Sequence, residues 1–270
     1  MKAAPFRYER PRELDDALEL LREEDAKPLA GGQSLVPMMA MRLARPAVLV
    51  DLARVPGLDS VEQRDGELVT GAMVRQRTLE RRGELARELP LVAQALPYVG
   101  HREVRNRGTV GGSIAHADPS AELALAAAVL DATLVARSAD GSREIAGGEF
   151  ALGPFQTALR DGELLTAVRW PLARPGDGFA FEEVARRHGD FALCGVAAWV
   201  RPGESTRIGL LGVGPTPVVR ELLPDGAIDD LVTELSPASD MHATAGYRTR
   251  LARVLLERCL RRAYEEAGRS

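Results

Sequence analysis

Arg105-Asn106-Arg107-Gly108-Thr109-Val110-Gly111-Gly112-Ser113-Ile114-Ala115-His116-Ala117-Asp118-Pro119 is the stretch on which the reading of this chain turns. A glycine pair bracketed by Thr109 and Ser113, entered through Arg105 and Arg107, offers bare backbone beside hydroxyls and positive charge. Such a loop can hold a phosphate without a lysine. A stretch of the same character lies upstream: Leu29-Ala30-Gly31-Gly32-Gln33-Ser34-Leu35-Val36. Neither carries the G-x-G-x-x-G of a doubly wound nucleotide fold or the terminal Gly-Lys-Ser/Thr of a P-loop. Together the two loops fit the two halves of one pyrophosphate, and hence a dinucleotide. Each alone reads equally as a packed turn.

Around the loops the periodicity is α/β in character. Residues 14–21 are spaced as a helix and 46–52 as a short buried strand. A hairpin turn at Arg64-Asp65-Gly66-Glu67 leads into a strand over 68–72. Residues 85–96 read as a helix with Pro90 restricting its first turn, 121–129 as a helix, and 132–136 and 164–170 as strands. Residues 171–178 read as a connector. Beyond it, 179–184, 191–200 and 208–214 are strand-like, and 244–267 form an amphipathic helix with Tyr247, Leu251, Val254 and Leu255 on its inner face and its arginines outward.

Composition narrows the functions. The formal net charge of −4 gives no general basic field for nucleic acid. No apolar run approaches a membrane span, and the Met1-Lys2-Ala3-Ala4-Pro5 start lacks a secretory signal, so a cytoplasmic location is expected. Two separated cysteines, Cys194 and Cys259, cannot build an iron-sulphur centre and read as reduced core thiols. His116, Asp118 and Glu122 lack a third strong ligand for a metal. The acids can accept from nucleotide donors, or serve as an Asp118-Pro119 turn and a helix cap at Glu122. Arg186-Arg187-His188-Gly189-Asp190 reads as an exposed turn or as part of an acceptor route.

The ordered set of motifs resembles the medium, FAD-binding subunit of molybdenum hydroxylases, of the carbon monoxide dehydrogenase type. It is carried by Ala30-Gly31-Gly32-Gln33-Ser34-Leu35, Arg42-Leu43-Ala44-Arg45-Pro46, Val50-Asp51-Leu52 and the 105–119 stretch. It continues through Glu183-Val184-Ala185-Arg186-Arg187-His188-Gly189-Asp190-Phe191-Ala192, Gly212-Val213-Gly214-Pro215-Thr216-Pro217 and Tyr247-Arg248, and so covers essentially the whole chain.

The resemblance implies an α+β protein. A two-lobed FAD-binding domain of the vanillyl-alcohol oxidase type would span 1–175, divided near 55, and a domain with a three-stranded antiparallel sheet and a helical bundle would span 176–270. It implies FAD contacts at Leu29, Ala30, Gly31, Gly32, Gln33, Ser34, Leu35, Val36, Thr109, Val110, Gly111, Gly112, Ser113, Glu122, Leu165 and Glu182. At Glu182 an acid stands where the xanthine dehydrogenase branch carries lysine. No residue of the chain would attack substrate or bind metal. The molybdenum cofactor would sit on a large partner subunit and two [2Fe-2S] clusters on a small one, in a dimer of heterotrimers. Hydroxylation would occur at molybdenum, and electrons would pass through iron-sulphur to FAD and an external acceptor. A stand-alone FAD oxidase and a non-catalytic nucleotide-binding assembly protein are the alternatives.

Overall fold

The computed structural model describes residues 2–222 and 228–268. Its first lobe is a small parallel sheet in the order β1-β3-β2, made of β1 (Arg7–Glu9), β2 (Ala26–Leu29) and β3 (Val48–Asp51), with helices α1 (Leu14–Leu20) and α2 (Leu35–Ala40) in the crossovers. All four residues of β3 are buried, as a central parallel strand requires. Ala17, Leu18 and Leu21 pack with Val48, Val50 and Leu52 in the core of this lobe.

The second lobe opens on a hairpin of β4 (Val61–Arg64) and β5 (Glu67–Gly71), whose turn residues Asp65 and Gly66 both have positive φ, the primed-turn geometry that suits strand twist. Short helices follow: α3 (Gln76–Glu80), α4 (Leu85–Glu88), α5 (Pro90–Ala95), α6 (Arg102–Arg107), α7 (Val110–His116) and α8 (Glu122–Val129). The chain then forms β6 (Thr133–Ser138), β7 (Gly141–Ala146), α9 (Gly147–Phe150), β8 (Ala151–Gly153), β9 (Gln156–Thr157) and β10 (Leu164–Pro171). The main sheet is antiparallel, in the order β4-β5-β10-β6-β7. The single helix expected over 85–96 is broken in two at Pro90. Proline pushes the preceding residue out of the helical region, and Leu89 sits at φ −136°, ψ 69°.

The last unit is a sheet in the order β11-β12-β13-β14, built from β11 (Gly178–Ala185), β12 (Ala192–Arg201), β13 (Ser205–Leu211) and β14 (Val218–Leu222), with α10 (Ile228–Glu234) and α11 (Ala245–Ala267) packed on it. It has one strand more than expected. The extra strand is a short edge strand beyond the Pro215 and Pro217 turn, too half-buried in pattern to stand out in the sequence.

Two features position this sheet. In β12 every residue except the terminal Arg201 is buried, because α11 covers one face and α8 the other. Gly209 on β13 lets α8 approach: a Cβ there would lie 2.7 Å from Leu125 Cδ1. The inner face of α11 also differs from expectation. Arg248, Ala252, Leu255, Leu256, Cys259 and Ala263 are buried, while Tyr247 and Val254 are exposed. Small side chains seat the helix close to the sheet. Arg248 turns inward because its guanidinium donates to the carbonyls of Leu193 (2.5 Å) and Gly212 (3.0 Å) and pairs with Asp240.

Candidate cofactor site

The two glycine motifs, far apart in sequence, meet backbone to backbone. Gly31 is buried against the end of α6, where a Cβ would touch the Arg107 carbonyl oxygen and lie 2.9 Å from Gly108 Cα. Gly112 faces Ala30 in the same junction, with only 3.2 Å between its absent Cβ and that of Ala30. Gly32 holds φ +73°, a conformation that glycine adopts without strain.

The motifs use their backbone differently. The second is not a free loop: Thr109 caps α7 by accepting from Gly112 N at 3.0 Å, and Val110 to Ser113 lie within the helix. Val110 N donates to Val74 O, Gly111 N to Ala72 O, and Ser113 N to Thr109 O. In the first motif the amides of Gly31, Gly32, Gln33 and Ser34 donate to no acceptor among the described residues. A row of unpaired backbone N–H groups at a glycine turn is an anion receptor. The polar set presented here therefore fits a pyrophosphate. It consists of amides from the first motif, a floor from the second, and the Ser113 hydroxyl, which has no partner among the described residues.

From this receptor the half-buried residues Gly112, Ser113, Ala115 and His116 of α7 lead to the turn at 117–121. That turn joins the last sheet. Ser120 Oγ donates to Ala192 O (3.3 Å), and Gly212 N donates to Pro119 O (3.2 Å). Ala117 takes the left-handed conformation, and the His116 ring lies 5.0 Å from that of exposed Phe155. Asp118 spends one carboxylate oxygen capping Ser120 N at 2.8 Å.

Glu122, the first residue of α8, is 7% exposed, and burial lifts its carboxyl to about 7. On β11 the adjacent acids divide, because successive strand residues face opposite ways. Glu182 turns to α11 and pairs with Arg262 at 2.7 Å and Arg258 at 4.0 Å. Its side chain is therefore held on the α11 side of the sheet. Glu183 faces inward, with Oε2 buried and without a hydrogen-bond partner, and burial followed by the charge of Glu122 lifts it to about 8. The strand alternation of Phe181-Glu182-Glu183-Val184 was the available signal that only one acid could point in.

Other sequence candidates take structural places. Arg105 is buried, bonded to both oxygens of Glu80 and to the carbonyls of Val99 and Gly100, so it holds α6 to α3 rather than meeting a ligand. Arg75, which the sequence did not single out, donates to the Arg107 carbonyl at the motif junction. Leu165 is buried in the central core, beside a bulge in β10. The 186–190 turn is partly docked: Arg186 meets the His242 ring, and His188 lies 6.0 Å from Tyr98. Both cysteines are free and buried, and burial pushes each thiol to about 12. Among the described residues no cluster of side chains can hold a metal ion, and no helix is long and apolar enough to cross a membrane.

Residues 4–173 match the FAD binding domain in molybdopterin dehydrogenase, and residues 220–263 match the CO dehydrogenase flavoprotein C-terminal domain. The chain belongs to the FAD-binding medium subunits of the molybdenum hydroxylase family. Two relatives are similar along nearly their full length. The 6-hydroxypseudooxynicotine dehydrogenase complex subunit alpha of Paenarthrobacter nicotinovorans is 37% identical, covering 99% of this chain and 97% of the relative. The carbon monoxide dehydrogenase medium chain of Hydrogenophaga pseudoflava is 34% identical, covering 96% and 97%. The solved structure of reconstituted CO dehydrogenase from Oligotropha carboxidovorans superposes with a TM-score of 0.93 at 34% identity, covering 98% of this chain and 100% of that one. The protein is thus a flavoprotein subunit of an oxidoreductase complex. Its cofactor is FAD.

Proposed function

We propose that this medium subunit is the electron-transfer flavoprotein of a three-subunit molybdenum hydroxylase. A small partner with two [2Fe-2S] clusters delivers electrons to its FAD after hydroxylation on a large molybdenum-cofactor partner, and the FAD passes them to an external acceptor. The assembly is a dimer of heterotrimers in the cytoplasm. The observation that carries the reading is the row of unpaired amides at Gly31 to Ser34 laid against the backbone of the second motif.

The residues that would hold FAD are then Leu29 to Val36, Thr109 to Ser113 and Glu122, with Leu165 and Glu182 as further contacts. FAD supplies the redox chemistry. The first motif would hold the pyrophosphate through its amides, with α7 and its Ser113 hydroxyl beside it. The connector at 172–177 marks the boundary between an FAD-binding part and a carboxy-terminal part. Exposed Leu152, Phe155 and Phe191 supply apolar surface for subunit contact. The substrate belongs to the molybdenum partner. The named relatives, one for 6-hydroxypseudooxynicotine and one for carbon monoxide, agree with that division.

The test is to purify the complex and assay flavin, iron and molybdenum, then reduce it anaerobically. FAD bleaching that requires the iron-sulphur partner is expected. Bleaching of the isolated chain by an organic substrate would replace this reading with a stand-alone oxidase, and a folded chain without flavin would refute it.

A further inference from the structure

We propose that Arg75 is the cation of the phosphate receptor: its guanidinium, fixed at the junction of the two glycine motifs, supplies the full positive charge that a diphosphate needs and that the bare amides of Gly31 to Ser34 lack. This rests on the FAD reading above.

Backbone pairing sets the placement. Residues 72–76 run beside the second motif, where Gly111 N donates to Ala72 O, Val110 N to Val74 O and Gln76 N to Gly108 O, and Arg75 forms an antiparallel bridge with Thr109. From this edge the Arg75 side chain reaches the end of α6, and Nη1 donates to the Arg107 carbonyl. That oxygen is the same atom that closes against Gly31. The guanidinium and the first glycine of the amide row thus share one neighbouring atom, and Gly31 has no side chain to screen one from the other.

The charge is not spent elsewhere. Arg75 is half-buried, and beyond the Arg107 carbonyl its donors have no partner among the described residues. The charged groups that act on it are Arg107, Asp51 and Asp59. Asp51 already accepts from Ala53 N and the Tyr8 hydroxyl and pairs with Arg10. Asp59 is exposed and makes no ion pair among the described residues. Arg107 is a second cation with no acid in contact among those residues. Burial, and then the like charge of Arg107, weaken the protonated form of Arg75. A bound anion reverses both effects. Neighbouring Arg77 and Arg105 cannot take this part, because both are held by Glu80.

Amides and guanidinium then divide the work. Backbone N–H groups carry partial charge and fix the orientation of an anion. A guanidinium adds a full charge and a planar fork suited to phosphate oxygens. Coulomb attraction extends about 10 Å at about 0.1 M salt, so an anion on the Gly31 amide feels the arginine across their shared oxygen.

The experiment titrates the full-length chain, stripped of flavin, with FAD from about 0.05 to about 0.5 M KCl, a range over which screening changes severalfold. The wild-type Kd is expected to rise with salt. Arg75→Gln, whose amide can still donate to a carbonyl, should raise Kd about tenfold at low salt and flatten its salt dependence. Arg75→Lys, which keeps the charge, should keep the slope. Inorganic pyrophosphate should displace FAD from the wild type more readily than from Arg75→Gln. An unchanged Kd in Arg75→Gln overturns the proposal. So does a Kd raised equally at every salt together with a lowered urea midpoint, the signature of a merely structural hold on Arg107. Should Arg75→Gln fail to fold, phenylglyoxal modification of the wild type decides, mapped by mass spectrometry. Protection of Arg75 by inorganic pyrophosphate upholds the assignment, and its absence refutes it. FAD binding that ignores Arg75 leaves the cofactor reading standing, whereas a wild-type chain that binds no FAD refutes that reading and this one with it.

Discussion

Gly31 lies against the backbone of Arg107 so closely that no side-chain atom fits between them. Both neighbours are main chain and cannot rotate away. Gly31→Ala is therefore expected to lower stability by about 1–3 kcal/mol through overpacking and to separate the two motifs. Flavin content after purification should fall with the urea midpoint. A variant with wild-type stability and full flavin would remove this contact from the site.

Thr109 tests the second motif without disturbing packing. Its hydroxyl satisfies Gly112 N, so Thr109→Ala should cost about 1 kcal/mol as a lost cap, with Thr109→Ser recovering most of it. Gly112→Val is a harsher change, since its Cβ would stand 2.6 Å from Thr109 Oγ1, and it should release FAD as well as loosen α7. Denaturant unfolding and FAD fluorescence on dilution separate the two effects.

Arg105 separates support from contact. Replacing it with alanine leaves Glu80 with Arg77 alone and takes the donor from the carbonyls of Val99 and Gly100, for an expected loss of about 1–3 kcal/mol. Arg105→Lys should restore only part of this, because an ammonium cannot reproduce the bidentate fork. The fraction that remains folded should bind FAD with wild-type affinity. A selective loss of affinity would put the guanidinium at the ligand.

Stability should depend on pH in two opposite ways. Glu122 and Glu183 keep protons up to about 7 and about 8, whereas in the unfolded chain both ionise near pH ~4.3. Between these values the folded state binds more protons, so stability falls as pH rises through that window. Glu88 and Glu163 act in reverse. Hydrogen bonds from Arg82 and Arg143 hold them below their ordinary values, and their stabilisation is lost as pH falls through the folded value. The flavin-free chain should therefore be most stable at mildly acidic pH. In Glu183→Gln the decline toward alkaline pH should be shallower, as measured by thermal unfolding across pH.

Much of this was written in local sequence. The buried run Val48-Leu49-Val50, the Asp65-Gly66 turn and the alternation before Trp170 each carry their own signal. What was not written locally depends on partners distant in the chain. Nothing near Gly112 says that α7 consumes its own amides, since Val74 and Ala72 supply the acceptors. Arg248 reads as a surface arginine until the carbonyls of Leu193 and Gly212 are brought beneath it. Glu182 and Glu183 are neighbours of the same type, and only the pairing of β11 with β12, with α11 on one side, gives them different roles.

Strand β12 carries a consequence for anyone who would take this protein apart. The connector at 172–177 invites a cut, yet the two blankets over β12 come from opposite sides of it, α8 before and α11 after. Severing the chain there would strip an almost wholly apolar ribbon on one side, so neither piece should be an interchangeable module. Swapping carboxy-terminal parts between relatives will succeed only when α8 travels with the sheet it covers.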